Sequence, residues 1–169
     1  MKSIFTLMLL FFWLHTFAQT DSSIINKIDK TVKRINDHIG SYTTKTLDEE
    51  EFTEIVTDGG GQVTGYFKNR QLVKMEEFIG LSICINLTTY YLKDNKLIFT
   101  YMQGKMFDLL NDDNPPTVTM ECSFYFDNDK MIKSILKGET GCGGQPQDSW
   151  AKDDLECTAK YINLFKKKK

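Results

Sequence analysis

Hydrophobic and polar positions follow the same order three times along the middle of the chain. Residues 66–74, 91–99 and 125–133 each read aromatic, apolar, a run of polar residues, then two apolar residues. The polar run contains Asn or Asp, which tolerate the backbone of a tight turn, and β-forming residues flank it. The aromatic residues in equivalent places before the polar runs are Tyr66, Tyr91 and Tyr125. The pattern therefore predicts three β-hairpin tips in one sheet.

Two other segments have helical periodicity. Between residues 22 and 40, apolar residues recur every three or four positions and form one stripe on an α-helix. This stripe consists of Ile24, Ile28, Val32, Ile35 and Ile39. A second stripe, between residues 150 and 166, consists of Ala151, Leu155, Thr158, Ile162 and Phe165. Asp154 lies beside the second stripe, and we interpret it as a first-turn carboxylate that favours a helix N-terminus.

Together these patterns predict an α+β fold. We expect an antiparallel β-meander of about seven strands with an N-terminal and a C-terminal helix packed on one face. Apolar and polar residues alternate over residues 52–57, which are predicted to be the first strand. The polar residues 41–51 are predicted to be a connector. The acidic run at residues 48–51 is interpreted as solvated, with a site for a cation or a basic partner as the alternative.

The first 19 residues have the pattern of a signal peptide. Lys2 gives a positive start, residues 4–17 are almost wholly apolar, and Ala18 is the small residue that a signal peptidase accepts. The alternative is an uncleaved membrane anchor, but this run is shorter than the ~20 residues that span a bilayer. We expect a single domain over residues 20–169, periplasmic or secreted, with no membrane attachment after cleavage. The formal net charge of −2 gives no reason to expect a nucleic-acid partner.

Export makes disulfides possible. The four cysteines contain no CxxC pair, so their spacing does not indicate a zinc site. Cys84 and Cys122 lie at different distances from their hairpin tips. At ~3.3 Å per residue, that difference exceeds the ~7 Å limit on the Cα separation of a disulfide. Cys142 follows the last strand at the end of the sheet where Cys84 lies, so we predict a Cys84–Cys142 disulfide. Whether Cys122 and Cys157 are free thiols stays open.

Candidate catalytic residues are few. His15 leaves with the signal peptide, so His38 would be the one histidine of the mature chain, and no nucleophile-elbow motif accompanies it. Carboxylate-dependent hydrolysis needs two facing carboxylates, which strands can provide. The glutamates predicted to lie on strands are Glu54, Glu76, Glu77 and Glu121. We assign no catalytic, cofactor-binding or metal-binding residues and expect no cofactor.

The three hairpin segments resemble those of uncharacterised exported proteins of Gram-negative bacteria, which carry repeated Tyr-Phe-x-Asn/Asp-x-x-Leu-Ile hairpins after a signal peptide. The resemblance covers residues 59–142. More distantly, the segments are similar to MORN-like and antitoxin-type repeats, although the glycine-rich periodicity of those repeats is missing. Neither resemblance implies a catalytic residue.

The main functional hypothesis is a non-enzymatic exported binding or interaction module of unknown ligand, for which another envelope or extracellular protein is one candidate partner. The alternative is a carboxylate-dependent hydrolase that uses paired glutamates on the sheet. An open sheet face with aromatic side chains would support binding. Two glutamates in a pocket, one of them with a raised pKa, would support hydrolysis.

Overall fold

The computed structural model describes residues 22–111, 113–138, 142 and 148–168. The predicted signal peptide, residues 1–19, lies outside the described residues. The elements in chain order are α1 (residues 22–37), β1 (Thr43–Asp48), the one-turn α2 (Glu49–Phe52), β2 (Gly61–Lys68), β3 (Gln71–Leu81), β4 (Cys84–Lys93), β5 (Lys96–Met106), β6 (Thr117–Asp127), β7 (Lys130–Gly138) and α3 (Asp148–Lys167).

The seven strands form one antiparallel sheet in which each strand pairs with the next along the chain. The predicted α+β fold with a seven-stranded meander is therefore confirmed. In a meander, alternate connections lie at opposite ends of the sheet. The hairpin tips lie at one end, which we call the tip end, and the other connections lie at the end that we call the loop end.

All three segments that were predicted to be hairpin tips form two-residue turns of the same type. Both central residues of each turn have positive φ, which defines a type I′ turn and matches the twist of the flanking strands. The central pairs are Asn69–Arg70, Asp94–Asn95 and Asn128–Asp129. After each turn, the register shifts by one residue on the second strand. The equivalent tyrosines before the turns therefore lie in one cross-strand row.

The first strand lies elsewhere than the sequence pattern predicts. β1 is Thr43–Asp48, within the segment predicted to be a connector, and residues 53–60 form a loop. β1 is an edge strand in which Leu47 is the buried residue, so it lacks the alternation that marks a strand. Its threonines are β-branched and favour the extended backbone. The acidic run is also ordered, because Glu51 accepts a hydrogen bond of 2.9 Å from the Asp48 backbone N–H.

α3 packs on the side of the sheet that carries Tyr90, which we call the α3 face. The Tyr161 ring meets Tyr90 and Phe52 edge to face, with centroids 6.0 and 5.7 Å apart. Phe165 meets Phe67 in the same way at 5.7 Å. The most deeply buried large side chains of the protein include Phe126, Leu47, Met75, Leu92 and Met120. The α3 face thus holds the main core.

α1 packs on the opposite side of the sheet, the α1 face, which carries Tyr91. Ile35 is 4% exposed and packs with Val73 and Tyr91. The Tyr91 hydroxyl donates a hydrogen bond of 3.0 Å to Asn36 Oδ1. Consecutive strand residues point to opposite faces, so Tyr90 contacts α3 while Tyr91 contacts α1. This differs from the expectation that both helices share one face, because the aromatic residues of the hairpin tips make part of the second face apolar.

One row of side chains crosses the α1 face beneath α1. The members, in cross-strand register, are Tyr66, Lys74, Tyr91, Phe99, Tyr125 and Lys133. Lys74 Nζ lies 5.5 Å from the ring centroid of Tyr66 and 5.4 Å from that of Tyr91, within the range of cation–π attraction. The same ammonium pairs with Glu76 at 2.7 Å. The buried Lys74 ammonium in this row therefore has both aromatic and ionic partners.

The predicted disulfide between Cys84 and Cys142 is present, with a Cα–Cα distance of 5.6 Å. It connects the start of β4 to the segment that precedes α3. Cys122 and Cys157 are free thiols in this structure. Cys122 is buried and Cys157 is half-buried, so both lie in the α3–sheet interface rather than on the open surface.

Candidate functional site

The four candidate glutamates lie in different environments. Glu54 is exposed in the loop before β2, not on a strand. Glu76 and Glu121 lie on β3 and β6, which are three strand spacings apart, or ~14 Å. Each has partners on the α1 face: Glu76 pairs with Lys74, and Glu121 accepts a hydrogen bond from Tyr101. Glu77 points to the opposite face.

Glu77 belongs to a polar cluster between α3 and the sheet. Tyr90 donates a hydrogen bond of 2.6 Å to Glu77 Oε2, and Tyr161 of α3 donates one to Oε1. Nearby, Thr100 donates a hydrogen bond of 2.7 Å to Asp154 Oδ2. Asp154 is 4% exposed, and Tyr161 is 3% exposed. The cluster therefore joins α3 to three neighbouring strands through buried hydrogen bonds.

The second carboxyl of this cluster, Asp154, has an unusual pKa. Burial raises the pKa of Asp154 to about 7, the charges of Glu77 and Asp153 raise it as well, and the hydrogen bond from Thr100 lowers it. A cavity of about 260 Å³ adjoins the two carboxyls. The prediction that Asp154 is a first-turn carboxylate is wrong, because α3 begins at Asp148 and Asp154 lies in its second turn, buried against the sheet. The signal that pointed to its burial was its position beside the apolar stripe of α3.

The free thiols in the same interface are poor nucleophiles. Burial raises the pKa of Cys122 to about 11, and burial together with the charge of Glu77 raises the pKa of Cys157 to about 11. At neutral pH both therefore remain protonated, whereas nucleophilic cysteines react as thiolates. Burial thus makes both thiols less reactive than an ordinary cysteine.

Exposed apolar side chains concentrate at the loop end of the sheet. Three connections meet there: residues 53–60, the turn between β3 and β4, and the loop between β5 and β6. Their exposed large apolar residues, which we call the apolar loop cluster, are Ile55, Val56, Ile83, Phe107, Leu109 and Leu110. Leu110 is 99% exposed and Ile55 is 77% exposed. Burying these side chains requires another molecule or another segment of the chain.

Hydrogen bonds hold all three of these loops in place. The buried Glu49 carboxylate accepts hydrogen bonds of 2.8 and 2.7 Å from the backbone N–H and hydroxyl of Thr57. The Phe107 N–H donates a hydrogen bond of 3.0 Å to the Ile83 carbonyl, which joins the second loop to the third. Within the third loop, Asp108 accepts a hydrogen bond of 3.0 Å from the Leu110 N–H. The apolar loop cluster is therefore presented on constrained backbone.

The part of the α1 face near the loop end is open among the described residues. The cross-strand row there consists of Gln62, Phe78, Leu87, Gln103, Glu121 and Lys137, and none of these is buried. On the α3 face at the same height, Val63 and Cys122 are 0% and 3% exposed. The open row continues the exposed surface from the loop cluster onto the sheet.

Among the described residues, no helix is long and apolar enough to cross a membrane. Comparisons of the chain with protein-family models, with curated proteins and with solved structures give no match.

Proposed function

We propose that the protein is a non-enzymatic binding module that attaches to a partner protein through the apolar loop cluster. The observation that carries this proposal is the clustering of exposed large apolar side chains from three separate loops at one end of the sheet. Single exposed apolar residues are ordinary, whereas a contiguous group is typical of an interaction site. Loops on a rigid sheet are also where binding residues commonly lie.

The constrained loops favour a binding role. A surface that is ordered before binding loses less conformational entropy when the partner attaches. The hydrogen bonds from Thr57 to Glu49 and from Leu110 to Asp108 supply that order. The open cross-strand row on the α1 face, which includes Phe78 and Leu87, adds area beside the loops.

The charges around the cluster indicate what kind of partner fits. Glu54, Asp58, Asp108 and Asp113 are exposed acidic residues of the same loops. A partner surface with an apolar centre and a basic rim complements this arrangement, and an anionic membrane would be repelled. The predicted signal peptide and the Cys84–Cys142 disulfide support a partner outside the cytoplasm, in the periplasm or the extracellular medium.

Replacing Leu110 or Ile55 with Asp should weaken partner binding at least tenfold, because each change places a charge among the exposed apolar side chains of the apolar loop cluster. The partner is first identified by mass spectrometry of exported proteins retained on the immobilised wild type. Its affinity for each variant is then measured by titration with the purified partner.

Leu136→Asp is the matched control for these variants. Leu136 is 48% exposed and lies on β7, outside the loops. The control should bind within twofold of the wild type. Equal affinity of Leu110→Asp, Ile55→Asp and the wild type would refute the loop cluster as the binding site, and so would an equal loss in the control.

A second candidate function is hydrolysis by Glu77 together with Asp154. It is favoured by one observation, the raised pKa of Asp154 beside a second carboxyl and a cavity. It ranks below binding because both oxygens of Glu77 already accept hydrogen bonds from tyrosine hydroxyls. A substrate would have to displace one of these hydroxyls.

Aryl-glycoside hydrolysis by the wild type and by Glu77→Gln separates the two candidates. Under the binding proposal, we expect neither protein to exceed the buffer rate. A wild-type rate that falls at least a hundredfold in Glu77→Gln, while Glu76→Gln retains the wild-type rate, would favour hydrolysis. Glu76 is the matched control because it is the next residue on β3 and points to the other face.

A further inference from the structure

A groove lies at the tip end of the sheet, at the opposite end from the apolar loop cluster. It has a volume of about 700 Å³, which is in the range of pockets that hold small organic ligands. The start of β1, the first hairpin turn, Asn95 of the second turn and the last turns of α3 form its walls. Phe67, Leu72, Ile162 and Phe165 form an apolar floor.

The charged side chains that line this groove are all basic. They are Lys45, Arg70 and Lys166, and no Asp or Glu is among the described residues that line the groove. Lys45 is already engaged, because its ammonium donates a hydrogen bond to the Lys168 carbonyl. Neither Arg70 nor Lys166 forms an ion pair with a described residue. In a chain of net charge −2, the groove thus concentrates positive charge without a counter-charge of its own.

The position of Arg70 is unfavourable for its side-chain type. Arg70 is the second central residue of a type I′ turn and has φ of 68°, in the left-handed region where Asn, Asp and Gly are preferred. The equivalent residues of the other two turns are Asn95 and Asp129, which suit this backbone. The first turn is therefore the one of the three that carries a strained cation, and both of its central residues line the groove. Strain of this kind is found at functional sites.

We infer that the groove binds an amphipathic organic anion, with its head group between Arg70 and Lys166 and its apolar body on Phe67 and Ile162. The guanidinium can form two parallel hydrogen bonds with a carboxylate, phosphate or sulfonate. Asn69 and Asn95 in the walls provide amide groups for further hydrogen bonds. This inference does not depend on the partner surface, which lies at the other end of the sheet.

Fluorescence titration with 8-anilinonaphthalene-1-sulfonate tests the inference, because this probe carries a single anionic group on an apolar ring system. We expect Arg70→Asn to raise the dissociation constant at least tenfold without lowering the melting temperature. Asn occupies the equivalent turn position at Asn95, so the variant retains a residue that suits the backbone. Dodecanoate should displace the probe from the wild type, and inorganic phosphate at the same concentration should not.

Lys130→Asn is the matched control, since Lys130 is an exposed cation beside the third hairpin turn and outside the groove. Its dissociation constant should remain within twofold of the wild-type value. The neutral probe N-phenyl-1-naphthylamine should bind the wild type at least tenfold more weakly than the sulfonate. Equal weakening in Arg70→Asn and Lys130→Asn, equal affinity for the two probes, displacement by phosphate, or absence of binding to the wild type would each overturn the inference.

Discussion

Asp154→Asn is expected to stabilise the protein at pH 8 by about 4 kcal/mol and to change its stability little at pH 4. At pH 8 the wild type buries the Asp154 charge beside Glu77, whereas asparagine is neutral at every pH. Asparagine also preserves the hydrogen bond from Thr100, because its side-chain oxygen is an acceptor. The free energy of unfolding from urea titrations at pH 4 and pH 8 measures the effect.

The sign follows from the two pKa values of Asp154. The ordinary pKa of 3.8 applies to the unfolded chain, and burial raises the pKa in the folded protein to about 7. Below the unfolded pKa the carboxyl is protonated in both states, so its full contribution to stability is present. Between the two values the unfolded state loses its proton first, and stability falls by about 1.4 kcal/mol per pH unit. Above the folded pKa the loss is complete and stays constant.

Asp153→Asn provides the control for this prediction. Asp153 is exposed and adjacent, so it tests the removal of a nearby charge without removing the buried one. We expect it to change stability at pH 8 by less than about 0.5 kcal/mol. If Asp154→Asn were less stable than the wild type at pH 8, the ionised carboxyl of Asp154 would have to be favourably paired in the folded protein, contrary to the structure.

The hairpins could be predicted because the interactions that form them are local. Asn and Asp at the turn centres favour positive φ, and the flanking β-forming residues pair across only two turn residues. The residues that determine each hairpin tip therefore lie within a segment of nine residues. The seven-stranded meander follows, since short connections place each strand beside the next.

The face that each helix covers could not be predicted, because it depends on distant contacts. An apolar stripe shows which side of a helix is buried, but it does not show which side of a sheet receives it. α1 lies on the α1 face because Val73 and Tyr91 form an apolar area there with Ile35. Val73 is the extra residue created by the register shift after the first turn, and that shift is not visible in the hydrophobic pattern.

The candidate surface was missed for a related reason. Ile55 and Val56 contributed to the pattern that predicted a strand over residues 52–57, where they would have been partly buried. In the structure this segment is a loop held by Glu49, and both side chains are exposed. Leu109 and Leu110 were a usable signal, because two adjacent leucines in an Asn/Asp/Pro-rich segment, which is predicted to be a surface loop, are expected to be exposed.

Ile35→Asp is expected to lower the free energy of unfolding by about 4 kcal/mol. The substitution removes a side chain that is 4% exposed and packed against Val73 and Tyr91. Loss of such a side chain costs about 2 to 4 kcal/mol, and a carboxylate in its place adds a desolvation cost. Equilibrium urea unfolding followed by circular dichroism measures the difference.

Asn26→Asp is the control, because it introduces the same carboxylate at an exposed position of α1 and should change stability by less than about 0.5 kcal/mol. If Ile35→Asp unfolded at the same urea concentration as this control, α1 would contribute nothing by packing on the α1 face. If Ile35→Asp strongly lowers the free energy of unfolding and Asn26→Asp does not, the tyrosine row and α1 stabilise each other. The helix is then an integral part of the fold, since the same side chains that form the hairpin tips also bury its stripe.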